Sequence, residues 1–161
     1  MSIEQFNLIT DRSANDVALW RELRNKGWGQ MTYAERAEWI APLKGAYNYT
    51  DLNRVGAALN YVRDRLAEYG YLPANAFAAR VDWQFGEIPT RADLTKYLSY
   101  VSIVRASFSR FPTTPPAPEN TGRLNYREAN DIEQIIYDVG MLITNMVSAW
   151  YFSDDLYSGE L

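Results

Sequence analysis

The chain is 161 residues long, contains neither histidine nor cysteine, and has a formal net charge of −4. Without these residue types it cannot form disulfide bonds, zinc–thiolate sites, cysteine nucleophiles or a catalytic triad that uses imidazole. Its 16 basic residues are scattered, which argues against nucleic-acid or anionic-membrane binding because both need a basic surface. There is no secretory signal pattern and no apolar run long enough to span a membrane, so we expect synthesis in a cytoplasm.

The length favours a single domain overall. Within it we distinguish an N-terminal arm, residues 1–45, from a helical bundle, residues 46–161. The arm is expected to contain two short helices that pack against one side of the bundle. The residues that delimit them are Asp11 or Ser13 and Gly27 for the first helix, and Thr32 with Glu35 and then Trp39 or Ile40 for the second.

Three later stretches carry apolar residues at alternating spacings of three and four, the pattern of a helix buried along one face. They predict long helices over Asp51 to Tyr69, Arg91 to Arg110 and Tyr126 to Phe152. Because such apolar faces must be buried, we predict an all-α fold in which the three helices form an up-down bundle with left-handed packing.

Local features add finer predictions for the first and last of these helices. Thr50 is the expected N-cap of the first, and Gly56 is small enough to allow the tightest helix crossing there. In the last helix Trp150 is expected in the core, and the flank formed by Ile135, Leu142 and Ala149 widens the apolar stripe. If the short helices do not cover this flank, Ile135 and Leu142 are candidates for an interface with a partner subunit.

The connector over residues 71–89 lacks helical periodicity and is rich in aromatic residues. We expect an extended loop laid across the bundle, with Trp83 or Phe85 as its peg, and long loops of this kind are often functional. Aromatic residues on connectors can instead bind a sugar or fill a pocket of a partner. The candidate binding residues are Trp28, Tyr47, Tyr49, Trp83 and Phe85, with packing against the bundle as the alternative for each.

No metal site or cofactor site is expected from the remaining polar residues. Glu128 and Asp131 stand one turn apart, but acids in a first helical turn usually serve the cap and the helix dipole. The acidic tail, residues 153–161, lacks the spacing of a calcium loop. A pair of carboxylates can catalyse glycoside hydrolysis, but no pair among the acids is singled out by its position.

Several segments, in the same order along nearly the whole chain, resemble an uncharacterised family encoded in phages and prophages of Firmicutes, often near tail genes. These segments are Ile9 to Arg12, LWRELRNKGW, MTYAERAEWIAPLKGAYNYTDLNRV, DWQFGEIPTRADLTKYL, FPTTPPAP, LNYREANDIEQIIYDV and AWYFSDDLYSGEL. The resemblance implies a non-enzymatic structural or interaction module of a virion, associated with the tail and made in the cytoplasm of the bacterial host. It carries over no catalytic residues.

The expected partners are other phage tail proteins and a second copy of the chain. One alternative is a host-surface glycan-binding module of a tail fibre, which predicts two or more coplanar exposed rings in a groove near Trp83 or Tyr47 to Tyr49. A further alternative is a peptidoglycan or glycan hydrolase, which predicts paired inward carboxylates in a cleft.

Overall fold

The computed structural model describes residues 1–41, 43–119 and 124–157, with side chains described up to residue 150. Within these ranges all regular structure is helical, which confirms the predicted all-α class. The α-helices are α1 (Ala14–Lys26), α2 (Tyr33–Ile40), α3 (Tyr49–Glu68), α4 (Arg91–Ser107) and α5 (Tyr126–Tyr157). Short 3-10 helices are formed by Ile3–Phe6 and Trp28–Gln30.

Most helix starts follow the predicted caps, with one correction at α3. Ser13, Thr32 and Thr90 each cap a helix through a capping box. The N-cap of α3 is Asn48 and not Thr50, because Oδ1 of Asn48 accepts hydrogen bonds from the backbone N–H groups of Thr50 and Asp51. Asparagine and threonine both cap helices well, so the surrounding chain decides which of the two residues is the N-cap of α3.

Two helix ends differ from the predictions. α4 ends at Ser107, before the predicted Arg110, because the backbone of Phe108 is extended and its ring packs edge-on against Tyr71 at 4.5 Å. A tertiary contact therefore ends this helix before the prolines do. α5 continues past Phe152 to Tyr157, so it is longer than predicted.

Each of the three long helices contacts the other two, and contacts at both ends show that all three run in the same direction. Near their starts, Arg54 of α3 donates to Glu133 of α5 at 3.0 Å; near their ends, the rings of Tyr69 and Trp150 are 5.6 Å apart. For α3 and α4, the hydroxyls of Tyr47 and Tyr97 meet at 2.5 Å near the starts.

The contact of Tyr71 with Phe108 lies just beyond the ends of α3 and α4. The predicted up-down order is therefore wrong. Short connections join antiparallel neighbours, whereas the connections in this chain are long enough to run back along the bundle.

Three extended segments, which we call straps 1, 2 and 3, cover the grooves between the parallel helices. Strap 1 is residues 1–13, strap 2 is residues 71–89, and strap 3 is residues 108–125, of which 120–123 lie outside the described residues. Strap 3 lies between α4 and α5, since Arg105 donates to the Pro115 carbonyl at 2.6 Å and Thr114 donates to Asp138 at 2.5 Å.

Strap 2 runs back along α3 and is held by asparagine side chains. Asn53 donates to the Trp83 carbonyl at 2.9 Å and accepts from the Trp83 N–H at 2.8 Å; Asn60 pairs in the same way with Ala79, at 2.9 and 2.8 Å. A side-chain amide has one face that donates and accepts like a peptide group. On the other side, the Phe77 ring stacks on Tyr100 of α4, so strap 2 covers the groove between α3 and α4.

Gly56 lies between the two asparagines on the same face of α3. A Cβ added there would be less than 3.0 Å from the carbonyl oxygen of Arg80 in strap 2. The close backbone approach expected at this glycine therefore exists, but it is made by a strap and not by a helix, which corrects the prediction.

Strap 1 lies between α3 and α5 and runs antiparallel to α5. Ile3 is completely buried and packs against Gly140, while Asn130 pairs with the backbone of Arg12 at 2.9 and 3.0 Å. The first residues of the predicted arm are thus part of the bundle core. The other core side chains include Val55, Leu59, Val62, Leu66, Leu98, Val101, Val104, Ile132, Ile136, Val139 and Ile143.

Candidate binding groove

A groove of about 1060 Å³ opens beside the start of α3. Its walls come from α1, from α2 and the segment after it, and from residues 85–87 of strap 2. Most lining side chains are aromatic or aliphatic: Trp20, Trp39, Ile40, Ala41, Leu43, Ala46, Tyr47, Tyr49 and Phe85, with Arg24, Asn48, Thr50, Gly86 and Glu87 completing the set.

Gly45 allows the segment that carries Tyr47 and Asn48 to fold closely against α1. A Cβ at this position would collide with the backbone carbonyl of Asp16 and would lie 2.9 Å from Cβ of Trp20. No flexible side chain is available to give way at the carbonyl, so the position requires glycine. The side of the groove that contains Trp20 and Tyr47 depends on this contact.

Two strongly exposed lining residues are large and apolar. Phe85 is 88% exposed and Ile40 is 73% exposed, and they belong to different walls of the groove. The ring of Tyr49 meets Phe85 edge to face, with 6.0 Å between centroids and an interplanar angle of 88°. The groove therefore presents apolar surface to solvent from more than one side.

The structure brings together three of the five aromatic residues selected from the sequence, namely Tyr47, Tyr49 and Phe85. Trp28 lies outside the groove lining, half-exposed, with the Arg36 guanidinium 5.2 Å from its ring centroid. Trp83 is only 8% exposed, so it is the peg of strap 2 and not a binding residue.

Tyr47 lines the groove with its ring while its hydroxyl is buried. The hydroxyl shares a hydrogen bond of 2.5 Å with Tyr97, and the Arg12 guanidinium lies 5.2 Å from the Tyr47 ring centroid. Burial raises the pKa of both tyrosine hydroxyls, which therefore stay protonated. Tyr47 is a fixed part of the wall and offers no ionisable group to a ligand.

The interface predicted on α5 is not a continuous exposed flank. Ile135 is completely buried in the core and cannot contact a partner, whereas Leu142 is half-buried and Ala149 is exposed. Trp150 is half-exposed instead of being in the core, and its ring packs against Tyr69. The stripe on α5 was read correctly, but which flank the straps cover depends on contacts distant in sequence.

A buried ionic cluster, formed by Arg12, Asp51, Arg54 and Glu133, joins strap 1 to the starts of α3 and α5. Glu133 has no exposed surface and accepts from Arg12 at 2.7 Å, from Arg54 at 3.0 Å and from the Ile9 N–H at 2.6 Å. Asp51 accepts from the same two arginines, at 3.3 and 2.7 Å. The two cations and two anions balance, as buried charges require.

The sequence reading missed this ionic cluster. Asp51 was named only as the first residue of a predicted helix, and Glu133 was not selected. The available signal was that Glu133 lies four residues after Ala129 and three before Ile136, on the apolar stripe itself. Burial raises the pKa of Glu133, and the two arginines oppose that shift.

The arrangement gives little support to chemistry at the described residues. Asp51 and Glu133 are paired inward carboxylates, but both are buried and bound to arginine, so neither can reach a sugar. Across the described ranges no three potential metal-ligating acids come together, and Glu128 serves as the capping partner of Asn125. Residues 158–161 of the acidic tail lie outside the described residues.

The described helices include none that is long and apolar enough to cross a membrane. In comparisons with known proteins, no protein-family model, curated protein or solved structure matches the chain.

Proposed function

We propose that the chain is a non-enzymatic interaction module that binds a protein partner through the aromatic groove. The observation that carries this proposal is the exposure of Phe85 and Ile40 on different walls of one apolar groove. Burying a large apolar side chain stabilises a complex by about 1.5–3 kcal/mol, so burial of these two residues would contribute favourably to the free energy of binding. Aromatic side chains in pockets are also typical of the residues that dominate binding energy.

The walls of the groove are held in place before any partner arrives. The Tyr47–Tyr97 hydrogen bond fixes one side, and the Arg80 guanidinium lies 4.1 Å from the ring centroid of the buried Trp83, close to the residues that carry Phe85. A preformed site loses less conformational entropy on binding. A preformed groove is therefore better suited to docking a partner than a site that becomes ordered only in the complex.

A protein partner fits the groove better than a glycan does. Stacking on a sugar uses exposed ring faces, and the predicted site needed coplanar rings. Tyr49 and Phe85 are perpendicular to each other, and Trp83 is buried. Apolar side chains of a protein segment can fill the angle between such rings.

We further propose that the module works in the tail region of a phage or prophage virion, after synthesis in the cytoplasm of the bacterial host. This assignment rests on the family resemblance of the sequence segments alone. It makes other tail proteins, or a second copy of the chain, the partners to test first.

The test is binding to defined partners. The chain is purified with each product of its neighbouring genes, and complexes are measured by size-exclusion chromatography with light scattering. We expect at least one complex or self-association that Phe85→Ala weakens. The matched control is Tyr33→Ala, because Tyr33 is 91% exposed on α2 but lies outside the groove lining.

Two results would overturn the proposal. One is a monomer that binds none of these proteins. The other is a complex that Phe85→Ala and Tyr33→Ala weaken equally, because the groove would then have no special part in it.

A further inference from the structure

We propose that the occupant of the groove is the segment of residues 151–161 from a second copy of the chain. This inference rests on the proposed function, since it names the partner of the same groove. Its basis is the match between the charge and apolar character of the groove and the sequence of that segment.

The groove surface offers positive charge that is not neutralised by the described residues. Arg24 lies over the ring of Trp20, and neither Arg24 nor the nearby Arg21 has an ion pair among the described residues. The acid of the lining, Glu87, already accepts from Arg80 at 2.9 Å and from the Gln84 N–H at 2.7 Å. A fitting partner therefore combines bulky apolar residues with carboxylates.

Arg21 also belongs to a second, smaller cleft of about 470 Å³ that shares Trp20 and Tyr47 with the groove. Of the basic residues that line this cleft, Arg12 is buried and paired with Asp51 and Glu133, and Lys44 is paired with Asp11. Arg21 is exposed and has no ion pair among the described residues. The unpaired positive charge here is therefore that of Arg21 and Arg24, three residues apart on α1, and it favours an acidic segment over a basic one.

The segment of residues 151–161 has this chemistry. Its sequence, YFSDDLYSGEL, contains three aromatic residues, two leucines and three acids, and no lysine or arginine. The acids Asp154 and Asp155 stand between the apolar residues Phe152 and Leu156, so that charge and apolar surface alternate over a short length.

Residues 151–157 of the same copy cannot occupy its own groove. Trp150 lies beside Tyr69 at the end of α3, whereas the groove lies beside Asn48 to Thr50 at its start. These two ends are separated by 20 residues of helix, about 30 Å. α5 continues away from the groove to Tyr157, so residues 151–157 reach only the groove of another copy.

The contact joins two different surfaces of the same chain. Each copy then offers one groove and one segment, so association continues until a ring closes or an open chain forms. The smallest closed ring is a symmetric dimer in which the segment of each copy fills the groove of the other.

The experiment measures self-association of the full chain by sedimentation velocity from about 1 µM to 1 mM, the range of micromolar to millimolar contacts. We expect the average mass to rise with concentration. Two variants should each associate at least about tenfold more weakly, because each places like charges together. They are the groove variant Arg21→Glu/Arg24→Glu and the segment variant Asp154→Arg/Asp155→Arg. The groove variant should melt at nearly the same temperature as the parent chain, because the two substituted arginines are exposed.

Mixing the two variants is the decisive step. The acidic groove of one variant then faces the basic segment of the other, so association should recover in the mixture. Loss of self-association caused by misfolding would not recover. Phe85→Ala should weaken association of the parent chain, and Tyr33→Ala should leave it unchanged.

The outcomes separate this inference from the proposed function. A chain that stays monomeric at every concentration, or a mixture that does not recover, overturns the inference. If a neighbouring tail protein then binds and Phe85→Ala abolishes that binding, the groove has a different partner and the proposed function stands.

Discussion

The replacement Gly56→Ala distinguishes the strap architecture from an ordinary helix bundle. In an exposed helix the change should stabilise by about 1 kcal/mol, because alanine has the higher helix propensity. Here the new Cβ would lie less than 3.0 Å from the Arg80 carbonyl oxygen and 3.4 Å from Cγ1 of Val81. The obstacle is backbone, so strap 2 has to move away from α3.

The cost follows from the hydrogen bonds on either side of the contact. Ala79 is next to Arg80, and its two bonds to Asn60 are 2.8 and 2.9 Å long, so a shift of the strap stretches both. Each bond contributes about 1 kcal/mol, and a buried group left unpaired costs about 1–3 kcal/mol. After subtraction of the gain in propensity, Gly56→Ala should lower the free energy of unfolding by about 1–2 kcal/mol.

Urea unfolding followed by circular dichroism measures this change, and thermal unfolding should show a fall in Tm of about 2–8 °C for a chain of this length. Gly29→Ala is the matched control, because a Cβ there meets nothing within 4 Å and its φ is not positive. It should change the stability by less than about 0.5 kcal/mol. A rise in stability for Gly56→Ala would show that strap 2 does not lie against this face of α3.

Three other changes test the buried and capping groups. Glu133→Gln should lower the free energy of unfolding by about 3–5 kcal/mol in urea melts, since its two arginine partners stay buried with less negative charge; a change below 1 kcal/mol would contradict the ionic cluster. Tyr97→Phe should cost about 1–3 kcal/mol by leaving the Tyr47 hydroxyl unpaired, and adding Tyr47→Phe should recover part of that loss. By NMR titration Glu35 should have a pKa of about 2, because it is hydrogen-bonded by Lys26, and Lys26→Gln should raise it. Since this pKa lies below the unfolded value, the associated stability is present above about pH 4.5 and is lost as the pH falls towards 2.

The helices were predictable because their signals are local. Spacings of three and four along α3, α4 and α5 report which side of each helix is buried, and Thr32 with Glu35 or Thr90 with Asp93 marks where helices start. These features depend on residues within one or two turns of each other. The sequence therefore supported the all-α class and the approximate limits of every α-helix.

The direction of the helices was not predictable from those signals. It is decided by the straps, whose attachment depends on Asn53, Asn60 and Asn130 pairing with backbone groups far away in the sequence. An asparagine on a helix face usually reads as solvent-exposed. The informative pattern is Asn53, Gly56 and Asn60 on one face, where two amides flank a residue with no side chain.

The residues of the groove were predicted only in part, because some of them are placed by contacts that are distant in sequence. Tyr47, Tyr49 and Phe85 were selected because they lie on connectors, where a ring is not committed to a helix face. Trp20 and Trp39 were assigned to helices of the arm and were not selected, although both line the groove. Their place depends on how the arm folds back, and Gly45 allows that through a contact that local patterns do not encode.

The position of strap 1 has a consequence for synthesis of the chain. The backbone N–H of Ile9 donates to Glu133, which follows it by 124 residues in the sequence. Arg54 donates to the same carboxylate, which follows Arg54 by 79 residues. At about 5–20 residues per second the N-terminal residues wait about 6–25 s for this partner. Until then Arg12 and Arg54 have only Asp51 to share, and the groove that strap 1 covers has one wall. The start of the chain is thus secured only when α5 has emerged, so a nascent chain that stops before Glu133 cannot complete its core.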